Sequence, residues 1–282
     1  MTEEQFFRVS DPGEACELLA RFKSRARVIA GGTDLMVWMN QREVSPEVLI
    51  YIGESGLDYV RSEGDNLIIG ATTPFSDIMR SALVQEKAPL LAEAISHVGS
   101  PAIRNMGTMG GNLASASPAA DSATALLALG ASLRLISKRG ERVAECNGFF
   151  TGPDQTLLKP DELIREIIVP VQPKGWKWGY RKLGRRKAQS LSVVSVAICC
   201  QQEGGKCSKI RIALGAVAPM PMLATKAAAL LKGKAADGAL IDKAAKTAAD
   251  ETHPIDDVRG SAWYRRKAVE ALVKKLLKQI LG

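Results

Sequence analysis

Apolar positions along the chain recur with two spacings, and each spacing predicts a different element. Helical spacing predicts amphipathic helices, whereas short apolar runs bounded by turn residues predict buried strands. In the N-terminal part, strands are predicted from Phe6 and over 26–30, 48–52, 59–60 and 67–69, and helices over 15–22 and 74–80. This order of elements predicts a mixed α and β architecture.

A long segment without periodicity separates two apolar helices in the middle of the chain. The helices are predicted over 88–98 and 119–129, and Asp121 lies in the first turn of the second. Residues 99–117 between them are rich in Gly, Asn, Ser and Pro and predict a loop. A loop of this length inside a compact domain is usually functional or disordered, so the segment is a candidate functional region.

The C-terminal part shows a further change of pattern. Two more strands are predicted over 131–136 and 163–169, and the Pro- and Gly-containing residues 170–175 form the predicted boundary. Beyond this boundary, three antiparallel strands are predicted over 180–183, 191–201 and 209–217, and helices over 225–231, 240–252 and 261–281. The chain contains no internal repeat.

Composition and length are those of an ordinary globular protein. The 282 residues are 46% hydrophobic and 24% charged, which suits two or three domains and argues against disorder or a fibrous repeat. No apolar run approaches the roughly 18 residues that a membrane span needs, and the N-terminus lacks the pattern of a signal peptide. We therefore expect a cytoplasmic protein without a membrane segment.

The net charge of +8 arises from 38 Lys and Arg against 30 Asp and Glu, with basic clusters at 181–187 and 265–278. Nucleic-acid binding has to be considered for such a chain. Against it, aromatic residues make up only 5% of the chain and do not interleave with the basic clusters. No nucleic-acid-binding motif is present either. We expect a solvated basic surface that faces an acidic partner subunit or a phosphorylated cofactor.

The cysteines and histidines predict no metal site. Five cysteines, an odd number without a C-x-x-C pair, indicate neither a disulfide framework nor a zinc or iron–sulfur site, so any cluster belongs to another chain. Cys199 and Cys200 close an apolar run and are expected to be buried free thiols. His97 and His253 lie far apart in the sequence, and neither is assigned a role.

The first glycine-rich candidate is Ala30-Gly31-Gly32-Thr33-Asp34-Leu35, which follows a predicted strand and precedes an apolar stretch. Adjacent glycines in this setting let backbone N–H groups approach a phosphate, and Thr33 adds a hydroxyl donor. A Gly-Gly turn before a helix can equally be only a turn. The segment is neither the G-x-G-x-x-G fingerprint nor a P-loop.

The second candidate is Arg104-Asn105-Met106-Gly107-Thr108-Met109-Gly110-Gly111-Asn112. Its glycines, asparagines and threonine are rich in donors and tolerate unusual backbone angles, which suits a backbone that wraps a pyrophosphate. The alternative is a structural loop without a ligand. Two further turns supply hydroxyls and a helix N-terminus, namely Gly70-Ala71-Thr72-Thr73 and Ser117-Pro118-Ala119-Ala120-Asp121. Asp121 can equally be only a helix cap.

Taken in order, these motifs resemble the flavin subunit of the molybdenum hydroxylases, the family that includes xanthine dehydrogenase and the medium subunit of aerobic carbon monoxide dehydrogenase. The resemblance continues through Lys159-Pro160-Asp161-Glu162-Leu163-Ile164, Tyr180-Arg181-Lys182-Leu183-Gly184-Arg185-Arg186 and the region 254–266, so it covers nearly the whole chain. After Arg186 the chain has Lys187-Ala188-Gln189-Ser190, where the family often has an acidic or alanine-rich stretch.

The resemblance implies an α+β fold with a two-subdomain, PCMH-type FAD-binding region, followed by a three-stranded antiparallel sheet with helices. The implied domains are 1–57, 58–172 and 173–282, with FAD between the first two. The implied cofactor-binding residues are Ala30, Gly31, Gly32, Thr33, Asp34, Leu35, Ala71, Thr72, Thr73, Arg104, Asn105, Gly107, Thr108, Gly110, Gly111, Asn112, Ser117, Ala120, Asp121, Ile164 and Lys182.

The resemblance also implies a role for particular residues. The two glycine-rich loops would clasp the pyrophosphate, and Thr72 and Thr73 would line the flavin. Asp121 would reach the adenosine side, and Ile164 would pack against the adenine or flavin ring. Lys182 would lie near the flavin pyrimidine edge, where its charge would stabilise the anionic reduced flavin. A surface lysine on a strand is the alternative for Lys182.

The implied function is electron transfer within a complex. Molybdopterin and [2Fe-2S] clusters are expected only in a large molybdopterin-binding subunit and a small iron–sulfur subunit. Electrons would pass from those clusters to FAD in this chain and then to NAD or another acceptor. Thr33-Asp34 favours a xanthine dehydrogenase-like branch over a carbon monoxide dehydrogenase-type one. A stand-alone flavin oxidoreductase and a non-enzymatic assembly module are the alternatives. The lack of an acid–base pair argues against the first, and the intact glycine loops argue against the second.

Overall fold

The computed structural model describes residues 4–186 and 189–282 and begins with a small parallel sheet. Its elements are β1 (Gln5–Arg8), α1 (Pro12–Phe22), β2 (Ala26–Ile29), α2 (Leu35–Asn40) and β3 (Val48–Tyr51). The strands pair in the order β1-β3-β2. Helix α1 begins where the carboxylate of Asp11 accepts hydrogen bonds from the Gly13 and Glu14 amides. The strands and helix predicted from the sequence in this part are confirmed.

A second, antiparallel sheet of five strands follows, in the order β4-β5-β10-β6-β7. The strands of this part of the chain are β4 (Val60–Glu63), β5 (Asn66–Gly70), β6 (Ser132–Ser137), β7 (Gly140–Glu145), the short hairpin β8 (Phe150–Gly152) and β9 (Gln155–Thr156), and β10 (Leu163–Pro170). The edge strand β7 was not predicted from the sequence. Its residues are mostly polar and exposed, so it carries no apolar run that a pattern could reveal.

Six helices connect β5 to β6, namely α3 (Phe75–Arg80), α4 (Ala82–Lys87), α5 (Pro89–Ser96), α6 (Pro101–Met106), α7 (Met109–Ser115) and α8 (Asp121–Leu129). The prediction of one long loop over 99–117 is therefore wrong, because α6 and α7 occupy most of it. Both helices are capped by hydroxyls: Ser100 accepts from the Ile103 amide, and Thr108 accepts from the Gly111 amide. The irregular part of the segment is confined to the turns around these helices.

The C-terminal part forms a third sheet covered by helices. Its elements are β11 (Trp176–Gly184), β12 (Ser192–Glu203), β13 (Lys206–Gly215), β14 (Met222–Leu223), α9 (Thr225–Leu231), α10 (Gly238–Asp250) and α11 (Ala262–Leu281). The strands pair in the order β11-β12-β13-β14, so a two-residue fourth strand joins the three that the sequence predicts. The pair Met222 and Leu223 is too short to give a strand signal.

The central strand β12 is buried on both faces. Ala197 and Cys199 pack in the core shared with the second sheet and α8, whereas Val196 and Ile198 pack in a separate core with the C-terminal helices. This double coverage explains why nine consecutive residues from Ser192 are buried. The α+β fold with a C-terminal sheet and helices is thus confirmed. None of the helices in the described residues has the length and apolarity required to cross a membrane.

Candidate functional site

The residues singled out from the sequence converge on one cleft of about 950 Å³, which is lined by parts of all three sheets. Its size falls within the range of small-molecule and cofactor pockets. The predicted residues that line it are Ala30, Gly31, Gly32, Thr33, Asp34, Leu35, Ala71, Gly107, Thr108, Gly110, Gly111, Asn112, Ser117, Ala120, Asp121, Ile164 and Lys182. Residues far apart in the sequence therefore share one concave surface.

Four predicted residues, Thr72, Thr73, Arg104 and Asn105, are not part of this lining. The hydroxyl of Thr73 donates to the Tyr59 carbonyl and accepts from the Tyr59 amide, so it holds a turn together. The guanidinium of Arg104 donates to the carbonyl of Val98 at 2.8 Å, at the end of α5. Thr72 is buried and its hydroxyl has no hydrogen-bond partner among the described residues, and Asn105 is exposed. The assignment of these four residues to the cofactor stays a prediction.

The first glycine-rich loop presents free backbone donors to the cleft. Among the described residues, the amides of Gly31, Gly32, Thr33 and Asp34 donate to no protein acceptor. The loop follows the carboxyl end of the parallel strand β2, which is the edge where ligands bind in parallel sheets. Gly32 has a φ of +69°, which glycine adopts without strain. Successive free amides of this kind form a concave site for an anion.

The two glycine-rich segments touch each other directly. A Cβ atom on Gly31 would lie 1.7 Å from the carbonyl oxygen of Met106, at the end of α6, so only glycine fits. A second link joins the loop to α7, where the hydroxyl of Ser115 donates to the Asp34 carboxylate at 2.7 Å. The segment that contains α6 and α7 therefore fixes the position of the first loop.

The second glycine-rich segment uses its own amides within the protein. The Gly107 amide donates to the Ile103 carbonyl, the Gly110 amide to the Ala71 carbonyl at 2.8 Å, and the Gly111 amide to the Thr108 hydroxyl. The glycines here permit close packing, since a Cβ on Gly110 would lie 2.6 Å from that of Ala71. This segment thus shapes the cleft, whereas the first loop offers the run of free donors.

A buried ion pair forms another wall of the cleft. The ammonium of Lys182 on β11 lies 2.7 Å from the carboxylate of Asp121 at the start of α8, and it also donates to the carbonyl of His97. The other carboxylate oxygen of Asp121 accepts from the hydroxyls of Tyr180 and Ser192 at 2.7 and 2.6 Å. The side chains of Lys182 and Asp121 are only 9% and 5% exposed.

Tyr180 is held as a neutral donor in this network. Burial raises the pKa of Tyr180 well above its ordinary value, and the neighbouring Asp121 carboxylate raises it further. The phenol therefore keeps its proton and donates to Asp121 throughout the working pH range. The orientation of the carboxylate, and with it that of the Lys182 ammonium, is set by groups on β11 and β12.

Several cleft residues were not among the predicted cofactor-binding residues. Trp38 on α2, Ser100 at the start of α6, Glu162 beside β10 and Leu191 before β12 all line the cleft, yet none belongs to a glycine-rich motif. Glu162 is buried and bound by both nitrogen branches of Arg142, which lower the pKa of the carboxyl. These residues are brought to the cleft by tertiary packing, which local patterns do not report.

The lining fits a flavin dinucleotide. Free amides in the first loop suit a pyrophosphate, and Trp38 and Ile164 supply apolar surface for ring faces. Asn112 also lines the cleft, and its side-chain oxygen accepts from the Ser122 hydroxyl at 2.6 Å. In the part of the chain that the structure describes, no three His, Cys, Asp or Glu side chains are grouped as a metal site.

Comparisons with known proteins agree with this fit. Residues 2–172 match the family model described as FAD binding domain in molybdopterin dehydrogenase, and residues 178–280 match the CO dehydrogenase flavoprotein C-terminal domain. The carbon monoxide dehydrogenase medium chain of Hydrogenophaga pseudoflava is 36% identical over 266 residues, which cover 94% of this chain and 92% of that protein. The xanthine dehydrogenase FAD-binding subunit of Escherichia coli O157:H7 is 28% identical over 282 residues, which cover 98% and 96%.

The fold is also similar to that of a solved structure. A chain of carbon monoxide dehydrogenase from Hydrogenophaga pseudoflava, in a form that lacks the Mo-pyranopterin moiety of the molybdenum cofactor, superposes with a TM-score of 0.95. The identity is 36%, and the match covers 98% of this chain and 96% of that chain.

Proposed function

This chain belongs to the family of FAD-binding subunits of the molybdopterin dehydrogenases, and from that premise we propose that it is the electron-transfer subunit of a molybdenum hydroxylase complex. It is an oxidoreductase subunit with FAD as its cofactor. When bound, FAD supplies redox chemistry between the iron–sulfur clusters of a partner and a final acceptor, NAD or another oxidant. The observation that carries the proposal is the run of free amides beside a cleft of dinucleotide size.

We assign the pyrophosphate to the first loop. The amides of residues 31–34 are the free donors. The side-chain nitrogen of Asn112 on α7, whose oxygen accepts from Ser122, adds a further donor. The second glycine-rich segment supports these groups by holding Gly31 against Met106 and Gly110 against Ala71. Ile164 remains assigned to a ring face.

Asp121 and Lys182 belong to one end of the cofactor. Because their charged groups are 2.7 Å apart, they cannot serve the adenosine and the flavin ends of one extended dinucleotide. We place both at the flavin end and no longer place Asp121 at the adenosine side. There the Lys182 ammonium adds positive charge beside the ring, and Asp121 holds that ammonium in position.

The substrate branch and the partners are part of the proposal. A carbon monoxide dehydrogenase-type complex is at least as well supported as a xanthine dehydrogenase-like one, since the identity to the medium chain of the former is 36% against 28% for the latter subunit. We propose a large molybdopterin-binding and a small iron–sulfur partner, since the name medium chain of the Hydrogenophaga relative implies a larger and a smaller subunit. We also propose the domain division at 57/58 and 172/173.

The test is the purification of the tagged chain from its native host. We expect a flavin absorption spectrum, and co-purification of subunits that contain molybdenum and iron–sulfur clusters. Reduction of the bound flavin by candidate substrates then identifies the branch. A colourless chain that FAD neither binds nor stabilises contradicts the proposal.

A further inference from the structure

Two of the buried cysteines touch each other in the C-terminal sheet. The sulfur atoms of Cys200 on β12 and Cys207 on β13 lie 3.2 Å apart. The two side chains are 0% and 1% exposed, and both belong to the core formed with the C-terminal helices. Neither residue lines the cofactor cleft, so the contact is not explained by cofactor binding.

A β-bulge on β13 brings the two thiols to the same face of the sheet. Gln202 of β12 pairs with Cys207, after a shift of register that inserts Ser208 as an extra residue. Cys200 is on the same face as Gln202, since side chains alternate along a strand. Without the extra residue, Cys207 would pair with Glu203 and point away from Cys200. The contact between the sulfur atoms therefore depends on the bulge.

The backbone holds the two thiols in this position. On one side, Cys207 belongs to the ladder with β12. On the other side, its amide donates to the Lys234 carbonyl at 2.9 Å, and its carbonyl accepts from the Gly233 amide at 2.7 Å. Cys200 lies within β12, which is paired on both edges. To form a disulfide, the sulfur atoms need to approach by only about 1 Å, because the bond length is about 2 Å.

The neighbouring Cys199 has different surroundings. It precedes Cys200 on β12 but packs on the opposite face, in the core shared with the second sheet. Burial raises the pKa of Cys199 to about 12. By contrast, a hydrogen bond from the Cys200 thiol lowers the pKa of Cys207, against the opposing effect of burial. Of these three thiols, Cys207 therefore reaches the reactive thiolate form most readily.

We propose that Cys200 and Cys207 form a reversible modification site, at which hydrogen peroxide closes a disulfide between β12 and β13. The Cys207 thiolate attacks one oxygen of the peroxide, the O–O bond breaks, and a sulfenic acid and hydroxide form. The hydroxide combines with the proton that Cys207 released. The Cys200 thiol then attacks the sulfenic sulfur, the S–O bond breaks, and water leaves. Together the two thiols lose two electrons, and the peroxide is reduced to two water molecules.

The site lies near the open end of a hairpin. The turn between β12 and β13 is Gly204-Gly205, and a Cβ on either glycine would meet nothing within 4 Å. Lys206, the residue before Cys207, is exposed. Small openings of such an end admit hydrogen peroxide, which is little larger than water, more readily than a bulky alkylating reagent. The cleft lies at the other end of β12, near Ser192, roughly 26 Å from Cys200 at about 3.3 Å per residue.

The experiment uses the tagged chain purified from its native host with whatever cofactor and partners it carries. The thiols are reduced with dithiothreitol, the reagent is removed, and hydrogen peroxide is added. The remaining thiols are blocked with iodoacetamide after denaturation. Trypsin cuts after Lys206, between the two cysteines, so mass spectrometry shows the disulfide as a cross-link of two peptides that separates on reduction. Cys200→Ala is the test variant, and Cys199→Ala is the matched control, because both cysteines are buried on β12.

We expect peroxide to lower the number of blockable thiols in the wild-type chain from five to three, since two enter the bridge, and dithiothreitol to restore all five. The cross-link persists in Cys199→Ala and falls at least about tenfold in Cys200→Ala, because the proximity of the two sulfur atoms drives the reaction. A wild-type chain without the cross-link at any peroxide concentration, a cross-link through Cys199, or a loss of thiols that dithiothreitol does not reverse overturns the inference. A chain without flavin contradicts the proposed function alone, since the thiol pair does not depend on the cleft.

Discussion

Gly31 and Met106 meet so closely that the position of a Cβ on Gly31 lies 1.7 Å from the Met106 carbonyl oxygen. The two residues are far apart in the chain, yet their backbones are in contact beside the point where Gly31 lines the cleft. The anion-binding shape of the first loop therefore depends on the end of α6.

Gly31→Ala is expected to weaken FAD binding at least about tenfold and to destabilise the protein by about 1–3 kcal/mol, since the methyl group must push two backbones apart. Isothermal titration with FAD and chemical denaturation measure the two effects. Gly238→Ala is the matched control, because a Cβ there meets nothing within 4 Å. Normal FAD affinity in Gly31→Ala would show that the loop contact does not shape the site.

Gly111→Leu is expected to exclude the cofactor without harming the fold. Gly111 lines the cleft, and its Cβ would meet only the Thr108 hydroxyl, at 2.8 Å. The larger side chain therefore extends into the space assigned to FAD. The absorbance ratio of flavin to protein measures occupancy, and the melting temperature of the apoprotein is the control. A fully occupied variant contradicts the assignment of this wall.

Lys182→Met is expected to destabilise the apoprotein by about 3 kcal/mol, because removal of one partner leaves the buried Asp121 carboxylate without its counter-charge. Lys274→Met is the control. Lys274 pairs with Asp242 on the surface, where both side chains are at least 40% exposed, so the expected loss is below about 1 kcal/mol. Urea denaturation of both variants measures the difference, and equal losses argue against a structural role for the pair.

Asp257 predicts a dependence of stability on pH. Hydrogen bonds from Arg259 and Arg265 lower the pKa of its carboxyl, against the opposing effect of burial. A lowered pKa in the folded state contributes stability above the unfolded pKa of about 4, and this contribution is lost as the pH falls through the folded value. Asp257→Asn is therefore less stable than wild type at neutral pH, and the gap narrows below about pH 4. Denaturation at several pH values measures it, and a constant gap contradicts the assignment.

The thiols are expected to resist modification in the native protein. All five cysteines are buried and free, and burial raises the pKa of Cys16 to about 11 and those of Cys146 and Cys199 to about 12. These three thiols are therefore protonated at neutral pH, and burial keeps reagents away from all five cysteines. Iodoacetamide followed by mass spectrometry should label none before denaturation and all afterwards. Rapid labelling of Cys199 or Cys200 in the native chain would show that β12 opens.

Elements with strong periodicity were predictable from the sequence. The elements that were not predicted lack such a pattern for physical reasons. Helix α8 is buried at every position and β12 over its first nine residues, so both are rich in apolar residues and were predicted from the sequence. Helices α6 and α7 are too short to show a helical period of apolar residues. The glycines in and beside α7 predict a turn instead. Their start signals were present, since Ser100 and Thr108 are residues that cap helices, and each accepts from the amide three residues later.

The candidate site was predictable where local motifs form it. The first loop has the expected setting after β2, and its free amides agree with the reasoning from Gly31 and Gly32. The sequence did not show that the first segment keeps its amides free and that the second does not. That difference depends on tertiary hydrogen bonds, since the Gly110 and Gly111 amides donate to Ala71 and Thr108. The contact between Asp121 and Lys182 was hidden for the same reason, since no local pattern reports a distance across 61 residues.

The ion pair of Asp121 and Lys182 joins residues on either side of the boundary that we propose at 172/173. A ligand in the cleft touches both sides of that boundary, so it binds only when both halves are folded. By thermodynamic linkage, a bound ligand therefore stabilises the folded state of both halves together. With ligand in excess, the two halves should melt together and at higher temperature, and a chain cut at the boundary should lose this protection.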